Sequence, residues 1–210
     1  RDGAICGFGE ITLIESKLTE NSADNGGAIY SKKSHLKLKN CIIKNNDVNN
    51  IAKIENFNYL DDLIHNGVKE IVLDSDIILS NNEKSRYEDG IRIDVENLVI
   101  DGNGYSINAK NKTRIFDIYY SKVTIKNIIL KNGFTKGSGG AIRNWNAELT
   151  ITSSTFSYNY AADGGAIYTS ECELTIAEST FNNNTAYYGG AIYNDWCELI
   201  ISKSTLNNNT

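Results

Sequence analysis

The sequence predicts an all-β fold, a right-handed parallel β-helix solenoid of about eight coils of ~25 residues, three short strands to a coil. Three observations predict it. First, Gly139, Gly164 and Gly189 each open a Gly-Gly-Ala-Ile tetrapeptide at an interval of 25 (164 − 139 and 189 − 164), and Leu149, Leu174 and Leu199 keep the same interval. So do Phe156, Phe181 and Leu206, and Asn159, Asn184 and Asn209. Second, the repeat holds no helical pattern. In its Leu-Thr-Ile segment, strand alternation sends Leu149 and Ile151 to one side and Thr150 to the other. Third, Gly pairs and Asn, the residues suited to tight corners, recur between the strands. A single coil of this kind cannot bury its apolar side, so coils must stack.

Taken in order, residues 1–50 hold two repeats. In the second, Gly26 precedes Leu36 by ten residues, as Gly139 precedes Leu149, and Ile43 and Asn46 fall at the Phe156 and Asn159 positions. The first is looser, with Ile5, Ile11–Leu13, Leu18 and Asn21. Residues 51–66 change period: Ile51, Ile54, Phe57, Leu60, Leu63 and Ile64 fit one face of a helix that Gly67 ends. Such a helix suits the open end of a solenoid, whose strand edges need covering. The domain reading is therefore two coils in 1–50, a capping helix and linker in 51–69, and about six coils in 70–210; a helical insertion in one continuous solenoid is the alternative. The strands of 71–130 repeat the same unit with a worn consensus, since Leu98 to Val123 is 25 and Val123 to Leu149 is 26. Asn21–Asn46 and Asn159–Asn184–Asn209 are expected to form amide ladders up the stack.

Composition narrows the function. A net charge of −5 with scattered lysines argues against a nucleic-acid partner. No run is apolar for the ~18 residues that a membrane-spanning helix needs. The chain opens on Arg1 in mid-repeat, as an excerpt of a longer protein would. Cys172 and Cys197 are 25 apart and should sit one above the other, as a disulfide or as two stacked thiols.

No catalytic residues, metal ligands or cofactor site are expected. Asp61 and Asp62 fall at polar helix positions and read as solvated surface. Asp76 and Asp101, 25 apart, should stack, where a shared Ca²⁺ competes with the ordinary turn role of Asp101. Arg92 and Asp117 should pair across coils, and His35 and His65 read as surface residues. Recognition is more promising. Tyr30, Tyr168 and Tyr193 follow the Gly-Gly-Ala-Ile unit and point outward by alternation, with Arg143 substituting once. Trp145 and Trp196 lie just beyond. Trp145, Tyr168, Tyr193 and Trp196 are the candidate ligand-binding residues, an exposed aromatic line being a common mark of an interaction surface. Against this, tyrosine suits strands in any case, and the rings could simply stack on one another.

Gly-Gly-Ala-Ile paired with Phe-x-x-Asn, at 156–159 and 181–184, resembles the repeat of polymorphic outer-membrane proteins and adhesin-like β-helix proteins. Ile43–Asn46 and Leu206–Asn209 depart from it conservatively. The Ile-Asp-Gly-Asn-Gly at 100–104 is similar to a turn of pectin-lyase-like β-helices. The resemblance implies an extracellular or cell-surface, non-catalytic stalk or binding surface, without a cofactor, that meets a glycan or protein partner on another cell. The alternative is a carbohydrate-active β-helix enzyme, a polysaccharide lyase or glycoside hydrolase, which needs paired carboxylates or an acidic Ca²⁺ cluster beside a basic residue in a groove.

Overall fold

A computed structural model describes residues 4–7, 10–21, 28–31, 35–39, 41–44 and 56–210. Among the described residues six strands precede the helix: β1 (Ile5–Gly7), β2 (Glu10–Ile14), β3 (Lys17–Thr19), β4 (Ile29–Ser31), β5 (His35–Lys39) and β6 (Cys41–Lys44). The helix α1 spans Phe57–His65. The coils follow: β7 (Val68–Val72) and β8 (Ile77–Ile78); β9 (Ile91–Ile93), β10 (Leu98–Asp101) and β11 (Ser106–Asn108); β12 (Phe116–Tyr119), β13 (Lys122–Lys126) and β14 (Ile129–Lys131). The last three are β15 (Ile142–Trp145), β16 (Glu148–Thr152) and β17 (Thr155–Ser157); β18 (Ile167–Ser170), β19 (Glu173–Ala177) and β20 (Thr180–Asn182); and β21 (Ile192–Asp195), β22 (Glu198–Ser202) and β23 (Thr205–Asn207).

From β7 onward each strand pairs, in parallel, with the strand three places away, which gives three sheets wound around one core. The first strands of the coils stack as β9-β12-β15-β18-β21, the second as β7-β10-β13-β16-β19-β22, the third as β8-β11-β14-β17-β20-β23. This is the parallel β-helix that the repeat predicts, with about six stacked coils rather than eight. Among the described residues the first two repeats form their own pairs, β1 with β4 and β2 with β5, and reach the long stack through β3 and β6. There the strand type changes. β6 carries Ile43, a third-strand position, yet it pairs with the second strand β7 across a register shift at Cys41/Ile42. The helix lies between these two strands in the chain and packs against β7 and β9, at the place where a first strand would otherwise precede β9. It is shorter than the expected 51–66, and residues 51–55 lie outside the described residues. Asn56 caps it by accepting from the Tyr59 N–H at 2.9 Å, and Phe57, Leu60, Leu63 and Ile64 are buried beneath it.

The interior is columns of like residues. Leu149 on Leu174, Ile151 on Ile176 and Ile142 on Ile167 are paired in register and buried. Phe156 and Phe181 stack with centroids 4.7 Å apart and planes 5° from parallel. Each such side chain contributes about 1.5–3 kcal/mol by leaving water. The two glycines of the repeat do different work. Gly164 has φ +65°, open to glycine. At Gly165 a Cβ would lie 2.1 Å from the carbonyl oxygen of Gly190 in the next coil, so the second glycine lets neighbouring coils touch.

The Asn159–Asn184–Asn209 ladder forms, and Asn46, needed for the other, lies outside the described residues. Asn159 Nδ2 donates to Asn184 Oδ1, and Asn184 Nδ2 to Asn209 Oδ1, both at 2.9 Å. The left-handed residues are the ones just before them, Tyr158, Asn183 and Asn208. The ladder asparagines instead cap the corner: Asn184 Nδ2 also donates to the Phe156 carbonyl at 3.0 Å. A second ladder, of serines, runs up the corner at the other end of the third strand. The Ser154 N–H donates to Ser179 Oγ and the Ser179 N–H to Ser204 Oγ, each at 3.1 Å.

Candidate functional site

The outer face of the first-strand sheet carries two rows of side chains, because alternate residues of each strand point out. One row reads Arg92, Asp117, Arg143, Tyr168, Tyr193 in paired register; the other holds Tyr119, Trp145, Ser170 and Asp195. Three of the four candidate residues, Trp145, Tyr168 and Tyr193, therefore share this face. Trp196 does not. It lies past β21 at a corner with φ +58°, in line with Asn146 and Glu171, and is 91% exposed. Tyr30 lies in β4, its side chain outside the described residues.

The face divides into a charged half and an aromatic half. In the charged half Asp117 is the hub. Arg143 donates to it twice, from Nε and Nη2, each at 2.6 Å, and Arg114 Nη1 approaches at 3.5 Å. Asp117 thus takes Arg143 and Arg114, and not the Arg92 expected from spacing; Arg92 turns to Asp94 at 2.9 Å. Arg114 is itself 2% exposed, with Nε donating to the Gly139 carbonyl and Nη2 to that of Ser138. Burial lowers its pKa, and Asp117 works against that. The guanidinium of Arg92 lies 4.7 Å from the Tyr119 ring centroid and that of Arg143 5.2 Å, so both are committed within the protein.

In the aromatic half the rings of Tyr168 and Tyr193 stack 5.5 Å apart with planes 5° from parallel. Asp195 accepts from the Tyr168 hydroxyl at 3.2 Å and from Ser170 Oγ at 3.3 Å. Burial raises the Tyr168 phenol pKa, and the Asp195 carboxylate raises it further, against a lowering hydrogen bond from Ser170. Trp145 stands beside them, 38% exposed. The result is a ridge of aromatic edges flanked by a carboxylate and hydroxyls, able to offer both apolar surface and directed hydrogen bonds. Tyr187 and Tyr188, 80% and 67% exposed, project from the loop that leads into β21.

Other singled-out residues have structural work. Asp76 does not stack on Asp101. It is in line with Ser106, whose N–H and Oγ both donate to its Oδ1 at 2.8 Å. Asp101 accepts the Asn103 N–H at 2.9 Å in its own turn and pairs with Lys126 at 3.2 Å. Asp61 is buried and not solvated: Arg86 Nη2, the Tyr87 hydroxyl and His65 Nδ1 meet its carboxylate at 2.9, 3.0 and 2.8 Å. His65 is accordingly a helix-end partner of Asp61, and His35 lies in β5 with its side chain outside the described residues. Nothing periodic in the sequence marks Glu83 and Tyr87, yet both are buried and clamp the helix. Glu83 accepts the Asn58 N–H at 2.9 Å, and the Tyr87 ring packs 5.6 Å from that of Phe57.

Comparison with known families gives one match. A family model described as the Chlamydia polymorphic membrane protein repeat matches residues 16–32, 153–170 and 178–195. No curated protein and no solved structure matches the chain. The two later matches each run from a third strand, through the Asn corner and the Gly-Gly pair, into a first strand of the next coil. They therefore cover the Asn and Gly-Gly corners and the third and first strands that flank them. The chain is a parallel β-helix that carries repeats of the polymorphic-membrane-protein type in these three segments.

Proposed function

We propose that the chain is a non-catalytic, adhesin-like stalk displayed at the cell surface, and that the aromatic half of its first-strand face takes a glycan. The repeat type supports surface display. One observation carries the glycan reading: Trp145, Tyr168 and Tyr193 rise on three successive strands of one face, beside the carboxylate of Asp195. Successive strands are spaced by about 4.8 Å, so the ridge presents a repeating apolar edge on which the C–H faces of a sugar chain can rest. Asp195 and the tyrosine hydroxyls supply acceptors and donors for sugar hydroxyls, and Trp196 adds an exposed indole at the adjoining corner. The interior columns and the Gly-Gly corners are accounted for by stacking, which leaves the outer face to recognition.

The test is a glycan-array screen of the chain beside a variant with Trp145, Tyr168, Tyr193 and Trp196 all replaced by Ala. The expected outcome is loss of glycan signal with an unchanged far-ultraviolet dichroism spectrum. Equal binding by both proteins overturns the assignment of the site. Binding to cells that survives enzymatic removal of their glycans identifies a protein partner instead.

A further inference from the structure

One row of the interior changes character along the stack. The inward positions that hold Ile93 and Ile118 in β9 and β12 hold Asn144, Thr169 and Asn194 in β15, β18 and β21. Asn144 and Thr169 are fully buried. Polar groups in an apolar core are costly unless they serve a partner. Here the row surrounds two sulfurs. Asn144 Nδ2 lies 3.1 Å from Cys172 Sγ, Thr169 Oγ1 lies 2.6 Å from Cys172 Sγ and 3.5 Å from Cys197 Sγ, and the Cys172 N–H donates to Cys197 Sγ at 3.2 Å. Asn144 Oδ1 is a buried side-chain acceptor with no partner.

The two sulfurs are 2.7 Å apart. They head β19 and β22, where Glu173 is in register with Glu198, so one cysteine sits directly above the other. Paired Cα atoms at the parallel-strand spacing of about 4.8 Å fall within the range that a disulfide spans, about 4.4–6.8 Å. A metal ion held between two thiolates needs far more room, since each Zn–S bond alone is about 2.3 Å.

We propose that Cys172 and Cys197 are an oxidation site that closes into a disulfide joining the last two coils, through exchange with a small-molecule disulfide. The Cys197 thiolate attacks one sulfur of that disulfide, forms a mixed disulfide and expels one small thiolate. Cys172 loses its proton and attacks the Cys197 sulfur, expelling the second. The two protein thiols are oxidised by two electrons, the small disulfide is reduced to two thiols, and the two protons end on them. Burial pushes the Cys172 thiol up to about 12, with the neighbouring Cys197 adding to the rise, so Cys172 is the poorer first nucleophile and its attack relies on the Cys197 sulfur held beside it. Glu173 and Glu198 follow the two cysteines in register, and Glu148 and Glu171 line the same depression as Cys172, so carboxylates surround the approach to the pair. A cationic disulfide should therefore exchange faster than an anionic one.

The test treats the full chain with cystamine or with oxidised glutathione and maps its non-reduced peptides by mass spectrometry. The expected result is a peptide pair linked through Cys172 and Cys197, formed faster with cystamine. Reduction should lower the Tm by roughly 5–10 °C, and Cys197→Ser should show no such response. Persistence of both as alkylatable thiols overturns the proposal, as does linkage of either to Cys6, Cys41 or a second chain. The peptide map uses the unaltered sequence and decides the matter even if the variant does not fold.

Discussion

The six-coil stack and the segment around α1 are held together differently. In the stack, whole columns are supported like by like: Phe156 lies on Phe181, Asn159 on Asn184, Ser154 on Ser179. Around the helix the polar contacts join unlike groups. Asp61 gathers Arg86, Tyr87 and His65, and Glu83 holds the Asn58 N–H and Ser80. Repetition makes the stack strong wherever its columns are intact and sensitive at any one residue that breaks a column. The helix segment spreads its load over a polar cluster and should open first.

The sharpest way to break the stack is Gly165→Val. Its Cβ would meet the Gly190 carbonyl oxygen and the Thr185 backbone, which cannot give way without parting two coils. We expect a loss of more than about 3 kcal/mol, read as a large fall in the denaturant midpoint. Next is Asn184→Ala. It strips the Phe156 carbonyl of its donor and the Asn159 amide of its acceptor inside the core, at a cost of about 2–4 kcal/mol by chemical denaturation. Asp61→Asn should cost about 1–2 kcal/mol, and hydrogen exchange should quicken in α1 while the strands from β13 onward stay protected. No change confined to the helix would show that it opens together with the coils.

The smallest effect is pH dependence of the helix segment. A hydrogen bond to the Asp61 side chain raises the pKa of His65 despite its partial burial, with Asp94 adding to the rise. Its contribution is complete below the ordinary histidine value of about 6.5 and is lost as pH climbs through the raised value. Burial pushes the Asp61 carboxyl up, but hydrogen bonds from His65 and Tyr87 and the charges of His65 and Arg86 outweigh it and leave the pKa lowered. That contribution is present above the ordinary carboxylate value of about 3.9 and is lost as pH falls through the depressed one. Asp62, raised chiefly by its own burial, works weakly the other way. A melting series from pH 5 to pH 8 should show a modest decline that His65→Gln flattens.

The same contrast decides what the sequence made legible. Columns could be read because a fixed interval places residue i on residue i + 25, and Leu149, Phe156 and Asn159 report that interval directly. Counting failed for Asp76 because residues 80–90 form a long loop before β9, and Ile77 consequently pairs with Ile107, 30 residues on. It failed for Asp117 in another way. Arg92 and Arg143 are both its neighbours in register, and the choice between them depends on side-chain reach, which spacing does not encode. Glu83 and Tyr87 repeat nowhere, so their burial follows only from where the helix lies. Of the candidate site, the outward rows of Tyr168 and Tyr193 were legible from alternation. The offset of Trp196 was not, since it depends on the backbone turning left-handed one residue after β21.

That turn has an evolutionary consequence. Tyr120, Asn146, Glu171 and Trp196 occupy equivalent left-handed corners with φ between +44° and +58°. Most L-residues incur a similar penalty there, roughly 1–2 kcal/mol, whatever side chain they carry. Replacing one such residue by another is then nearly neutral for stability. The corner column is a row of mutable positions in which surface chemistry can diversify coil by coil while the scaffold beneath stays the same.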